Sequence, residues 1–345
     1  MQARQIFIVK LIVLQLVIVM HLSSCKQMQK EEYEWIPTVG APEEYPIKII
    51  SGQFLSNNGF SPQLPQSDFD NSGWGNSGGV MLVGPDKKPV PDSLQVTWLS
   101  FAENQCYKGS FALPTERIAA LLKAGYIYHE TNAREDFNYL TLGFAPGGKI
   151  TLWISGGPAQ VEVANFKAEP VKLQRKDVGP DDGYLFEAGF IKDSYTRNVP
   201  AALREEVIKN GINYAKYPEW QKKYDYRFKV NDESVKFYHL FPKYFNEESE
   251  QLFDGNLHAN PLDKRAVPKH IFVVWFDKKQ QKMSTEIVFD EQEIRTAFAE
   301  LTAAQPGLLS FTVDPDQYTV KVSLTHGKKN HVFVKQKALT TLESN

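Results

Sequence analysis

The chain repeats itself, and that limits the folds open to it more than any other feature. The stretch "VPDSLQVTWLSFAENQCYKGSFALPTERIAALLKAG", Val90 to Gly125, has a counterpart in "VPKHIFVVWFDKKQQKMSTEIVFDEQEIRTAFAEL", Val267 to Leu301. Pro91 and Trp98 align with Pro268 and Trp275; with one residue dropped, Leu113, Ile118 and Leu122 align with Phe289, Ile294 and Phe298. Behind each lies a further strand pair, "YLTLGFAPGGKITLWI" and "LLSFTVDPDQYTVKVSL", with Pro146 opposite Pro315. A block of this length that recurs reads as one supersecondary unit used twice.

Each copy runs strand, strand, helix, strand, strand. The alternation in "LQVTW" and "IFVVW" suits half-buried strands. Asp290 followed by Glu293 has the form of a capping box, and Gly125 after "LLKA" stops the first helix. The expected fold is α+β: two units with antiparallel sheets, each burying a sheet face under its helix, related by an approximate two-fold and joined by a connecting helix. The boundaries follow: a signal peptide over 1–24, a tether over 25–45 and a first unit over 46–165 that opens on "YPIKIISGQFL". A connecting helix and polar aromatic loops take 166–265, and the second unit takes 266–345. Trp98 and Trp275 are expected as matched, buried pillars of the two cores.

Two glycine-rich stretches imitate phosphate-binding loops. "GWGNSGG" from Gly73 contains G-x-G-x-x-G, but a polar loop precedes it and "VMLVG" follows, where a dinucleotide site needs a strand before and a helix after. "GFAPGGK", Gly143 to Lys149, has Walker spacing up to the lysine, yet Ile150 stands where a hydroxyl must meet Mg and a strand replaces the helix. The second copy has "VDPDQY" at the equivalent place, so both stretches are expected as hairpin turns.

At the start of the chain, Arg4 and Lys10 precede "LIVLQLVIVMHL", Leu11 to Leu22, an apolar run of signal-peptide length and too short to span a bilayer. Leu22-Ser23-Ser24-Cys25 resembles the lipobox of bacterial lipoproteins, which implies cleavage before Cys25 and acylation of its thiol and new amine. Several acyl chains at about 0.8 kcal/mol per buried methylene make a lasting membrane anchor. The plain alternative is an ordinary signal peptide with a chance cysteine. Lys26, rather than an aspartate, after Cys25 favours the outer membrane by resemblance to enteric sorting rules.

Removing 1–24 leaves 37 basic against 41 acidic side chains, with lysines scattered among carboxylates and no basic face to hold nucleic acid. With Cys25 acylated, Cys106 has no partner for a disulfide within the chain and reads as a small buried hydrophobe rather than a catalytic thiol. There is no G-x-S-x-G elbow and no H-E-x-x-H helix. His129, His239, His258, His270, His326 and His331 show no ligand spacing. His326 and His331 are expected to be solvated and to face each other across the "GKKN" turn, and Asp181-Asp182 and Glu247-Glu248 to be solvated loop charge. No catalytic residue, metal ligand or cofactor is nominated. The candidates for binding a protein partner are Trp74 in "NSGWGNSGG", and Phe245 and Phe253 in "YFNEESEQLFDGN": mobile loops that each carry an aromatic anchor. For Trp74 the competing reading is a plug at the edge of the first unit.

"VTWLSFAENQCYKGSFALPTERI", "YLTLGFAPGGKITLWISG", "KNGINY", "YFNEESEQLFDG" and "IVFDEQEIRTAFAEL" together resemble a family of bacterial lipoproteins defined as a domain of unknown function. The resemblance covers nearly all of the mature chain and carries no catalytic residues over. It implies an envelope protein facing the periplasm, of a kind that accompanies type VI secretion effectors, phospholipases among them, as a lipid-anchored immunity protein. The leading functional expectation is therefore a non-enzymatic, lipid-anchored periplasmic binding protein. The alternatives are an envelope structural or assembly lipoprotein bound to a resident component, and an enzyme with an unrecognised site.

Overall fold

A computed structural model describes residues 31–343 apart from 58, 129–130, 232–234, 254–256 and 259. Period-two alternation builds most of it. In "SLQVTWLS", Leu94, Val96 and Trp98 share one face and are buried, while Gln95 on the other is exposed. The first half comprises β1 (Glu32–Glu34), β2 (Ile36–Gly40), β3 (Ile47–Leu55), β4 (Lys87–Pro89), β5 (Ser93–Ser100), β6 (Gln105–Ala112) and helix α1 (Thr115–Ala124). It continues with β7 (Tyr126–Tyr128), β8 (Ala133–Glu135), β9 (Tyr139–Ala145), β10 (Lys149–Gly156), β11 (Ala159–Lys167) and β12 (Glu169–Val171). Two four-stranded sheets result, in the orders β11-β10-β9-β2 and β12-β6-β5-β3. They press face to face: Leu94, Val96 and Trp98 share one core with Leu140, Leu142, Phe144, Ile150, Leu152 and Ile154, and Trp98 meets Phe144 edge-on at 4.9 Å.

Helices α2 (Phe190–Asn198), α3 (Ala201–Asn210) and α4 (Lys216–Trp220) follow. The second half holds β13 (Lys223–Asn231), β14 (Lys236–Tyr244), β15 (Leu252–Phe253), β16 (Asp263–Ala266), β17 (Pro268–Phe276), β18 (Lys282–Val288) and helix α5 (Glu291–Phe298). It ends with β19 (Gly307–Asp314), β20 (Thr319–His326), β21 (Lys329–Val332) and β22 (Lys337–Leu342). Its sheets run β16-β13-β19-β20-β21 and β15-β14-β17-β18-β22, around a core that includes Phe237, Trp275, Ile294, Phe298 and Phe311. Trp98 and Trp275 are 1% and 0% exposed. No described helix is long and apolar enough to cross a membrane.

The fold is thus mostly β with a few helices, and its sheets are largely antiparallel. Several expectations need correcting. Each sheet face is buried chiefly by the opposite sheet; α1 and α5 add Ile118, Leu122, Ile294 and Phe298 to those cores instead of roofing them alone. Each half has one parallel contact, β2 with β9 and β13 with β19. The stretch read as tether up to 45 contains β1 and β2, and the stretch read as connector up to 265 contains β13, β14 and most of β16, so the second half begins near Lys223. Asp290 caps α5 by accepting from the Glu293 amide at 2.8 Å, but the Glu293 carboxylate turns to the Val334 and Lys335 amides, so the box is not reciprocal. "GFAPGGK" is the β9–β10 hairpin, with Gly147 and Gly148 at φ 79° and 75°. "GWGNSGG" is not a hairpin: it lies along β2, its Gly73 and Gly78 amides donating to the carbonyls of Ala41 and Val39.

The segment between the sandwiches covers the first one's outside. Leu185, with Phe190, Ile191 and Tyr195 partly buried beside it, packs on Ile50, Leu99 and Phe101, the outward residues of one sheet. That leaves the outer face of β9 and β10, where the two halves meet.

Candidate functional site

Strand β10 is buried along almost its whole length because both of its faces are covered. Ile150, Leu152 and Ile154 enter the core; Thr151, Trp153 and Ser155 point outward and are buried all the same. What covers them is an aromatic cluster drawn from three segments. Trp74 meets Trp153 edge-on at 5.0 Å and Tyr217 at 4.9 Å, Trp220 lies 6.0 Å from Trp74, and Phe245 lies 5.6 Å from Trp220. Gly143 in β9 makes the room: a Cβ there would stand 2.4 Å from Trp153 Cζ3 and 3.0 Å from Trp74 Cδ1.

The loop from Tyr244 closes the junction. Trp153 Nε1 donates to the Asn246 carbonyl at 3.0 Å. Gln160 at the start of β11 exchanges backbone hydrogen bonds with Ser249, and its side-chain amide donates to the carbonyls of Gly75 and Glu247 at 3.0 and 2.7 Å. One side chain therefore ties the glycine loop, the first sandwich and the second-half loop together. Gly75, at φ 78°, comes so near that a Cβ would be 2.6 Å from that of Glu247, which itself holds a left-handed φ of 63°. The two loops nominated for an external partner are thus each other's partners. Trp74 is 5% and Phe245 4% exposed, so Trp74 is the plug and neither ring is offered to solvent. Phe253 lies apart, half-buried on edge strand β15 and stacked on His239 at 5.1 Å. Cys25 lies outside the described residues.

The charges at the junction are buried and paired. Glu247, 5% exposed, lies 2.9 Å from Lys269 and 3.3 Å from Lys243; Glu248 lies 2.7 Å from Lys223. This corrects the reading of Glu247-Glu248 as solvated charge. Asp182 likewise joins Asp68 on the buried Lys48 ammonium, at 3.1 and 2.8 Å. Asn246 Nδ2 bridges Glu162 and Glu248 at 3.0 and 2.9 Å. Burial holds the Glu162 carboxyl above its ordinary range, and the neighbouring Glu248 charge adds to that, against hydrogen bonds from Asn165 and Asn246.

Beside the plug lies a cleft of about 320 Å³ lined by Asn76, Ser77, Tyr139, Ser155, Gln160 and Lys243 among others. Ser77 and Ser155 on its wall are the outer members of a hydroxyl ladder: behind them the buried Thr38 reaches Thr141 at 3.0 Å and Ser77 at 3.4 Å, and Thr141 reaches Ser155 at 3.4 Å. Hydroxyls bonded to one another, with a carboxylate held between two ammonium groups, make a surface that donates and accepts hydrogen bonds.

Elsewhere, burial pushes the Cys106 thiol up to about 11, against the thiolate a nucleophile needs. His326 and His331 do not face each other: the register sets His326 against Lys329 and His331 against Leu324. His326 is buried 3.5 Å from Glu300, and His331 lies 3.7 Å from Glu293. Among the described residues no group of three or more His, Cys, Asp or Glu stands where it could hold a metal ion.

Three junction residues carried signals that sequence reasoning passed over. Trp153 alternates with Thr151 and Ser155, which sets one large ring on a strand face otherwise made of hydroxyls. Tyr217 and Trp220 sit together in "YPEW". A family profile spanning the glycine loop and the Trp153 strand decides the relationship. The chain belongs to the DUF2931 family, proteins of unknown function. The DUF2931 match runs over residues 23–215, which takes in the first sandwich with the Trp74 loop and stops at the start of α4. "YFNEESEQLFDG" and "IVFDEQEIRTAFAEL" lie outside it, so the match is shorter than the resemblance implied. No curated protein and no solved structure matches the chain.

Proposed function

We propose that the protein is a lipid-anchored, non-enzymatic binding protein of the bacterial envelope, held at the outer membrane through Cys25 and facing the periplasm. In this reading it captures a protein partner, and an effector delivered by type VI secretion makes it an immunity protein. The observation that carries the binding reading is the junction itself. Buried charges there are matched inside the chain, and the cleft beside them presents hydrogen-bonding groups to a partner. We further infer that the chain is one unit used twice. What supports this is the strand order, in which β2, β3, β5, β6, β9, β10, β11 and β12 correspond to β13, β14, β17, β18, β19, β20, β21 and β22, with α1 and α5 after the same strand.

The test is capture followed by calorimetry. Cys25→Ser protein, freed of its anchor, is used to recover partners from envelope extracts and from purified lipase-like effectors. Asn76→Trp, which fills the cleft from its exposed rim, should then weaken the recovered complex by about tenfold or more. Turnover of phospholipid, ester or peptidoglycan by the purified protein alone would sink the non-enzymatic reading. Metabolic labelling with a clickable fatty acid tests the anchor: equal label on native and Cys25→Ser protein would refute acylation at Cys25.

A further inference from the structure

We propose that the loop Val80–Val83 dips into the lipid surface that carries the anchor, so that the protein meets the membrane at two points. "VMLV" is the only run of four consecutive valine, isoleucine, leucine or methionine residues in the sequence after the apolar segment at its start. It is not buried: Val80, Leu82 and Val83 are 47%, 77% and 52% exposed. Single exposed apolar residues are ordinary, but adjacent ones at the tip of one loop form a patch that water does not favour.

The loop is held out by what flanks it. Val80 bridges to Thr38 of β2, and after Gly84 the chain pairs through β4 with β1. Gly84 sits at φ 88°, against the Phe60 ring, so close that a Cβ would meet Phe60 Cε1 at 2.4 Å. The apolar tip is therefore set between two fixed points.

Its position selects lipid as the occupant. Leu82 and Val83 line one groove with Glu34, Trp35 and Ile36, beside the strand by which the chain arrives from Cys25. Cys25 stands six residues before Glu31. Six residues span at most about 20 Å, so an acylated Cys25 keeps this end of the molecule close to the headgroups. Glu34 and Asp86 line that groove with Lys88, whose ammonium is buried and donates to the carbonyls of Trp35 and Asp86, so no free basic group there draws anionic headgroups and burial of the apolar side chains is the driving force. The inference rests on acylation of Cys25.

The test uses full-length protein carrying its anchor, reconstituted into vesicles of phosphatidylethanolamine and phosphatidylglycerol with brominated acyl chains. Five native tryptophans, Trp35, Trp74, Trp98, Trp153 and Trp275, are at most 5% exposed and Trp220 is partly buried, but Trp35 lines the groove beside the loop, so quenching is read on the emission that each added tryptophan contributes above that of the native protein. Leu82→Trp should add emission of which about half or more is quenched. Val334→Trp, in the second half at a position 77% exposed, should add emission that is not quenched. Equal quenching at the two positions, or none at position 82 in protein whose mass shows acyl chains on Cys25, would overturn the loop's role and leave the anchor standing. A mass without acyl chains would overturn the anchor, and the loop proposal with it.

Discussion

Replacing Trp74 by alanine should cost stability. The indole is 5% exposed and is walled by Trp153, Tyr217 and Trp220 at centroid distances of 5.0, 4.9 and 6.0 Å. Truncating a buried tryptophan costs about 3–5 kcal/mol, the upper part of the range where the cavity cannot collapse. Collapse is resisted here, because Trp153 is fixed by its bond to Asn246 and by the strand on which it sits. Trp74→Phe should cost only roughly 1–2 kcal/mol, since most of the ring area stays and the indole N–H it removes is buried without an acceptor. Gly143→Ala pushes a methyl toward the same two rings and should destabilise the native protein, but much less once Trp74 is already alanine. Guanidinium unfolding, followed by near-ultraviolet circular dichroism, gives all four free energies. A loss under about 1 kcal/mol for Trp74→Ala, or simple additivity with Gly143→Ala, would refute the account of Trp74 as the plug of the junction.

Three further outcomes are expected. Trp98→Ala and Trp275→Ala should each lower stability by about 3–5 kcal/mol, read from denaturant midpoints, because both rings lie at the centre of a core and Trp275 Nε1 also donates to Thr285 Oγ1 at 3.1 Å. Glu162 has a folded pKa above its ordinary 4.5, so the stability it contributes is complete below that value and is lost as pH rises through the raised one. The stability advantage of the native protein over Glu162→Gln should therefore shrink on going from pH 4.5 upward, and an advantage that grew would reverse the sign of the argument. Cys106, pushed up to about 11, should be roughly a thousandth ionised at pH 8, and Ellman's reagent should label it slowly in folded protein and at once in guanidinium.

How far the sequence revealed this fold depended on where each residue's contacts lie. The strands and helices of Val90–Gly125 and Val267–Leu301 were legible because an amphipathic strand or helix advertises its buried face locally. Ile36–Gly40 was not, because Pro37 argues against a strand; β2 tolerates it as the edge of its sheet, paired with β9 on one side while the glycine loop lies along the other. The alternation of Tyr224, Tyr226, Phe228 and Val230 with Asp225, Arg227 and Lys229 was a strand signal, obscured by the polar aromatic composition around it. The junction is different in kind. Gly73 to Gly79 and Asn246 to Ser249 have the composition of exposed loops, and each would be exposed without the other. What buries them is contact between segments some 170 residues apart in sequence, set by Gln160, Gly75 and Glu247. The ions that neutralise the buried carboxylates, Lys223, Lys243 and Lys269, come from three strands, β13, β14 and β17. No local pattern can announce such a pairing, because burying a carboxylate is tolerable only once the lysines of distant strands have been brought beside it. The same logic isolates Val80–Val83: a loop of that composition would be expected to find cover as the Trp74 loop did, and it stands out because, among the described residues, it has not.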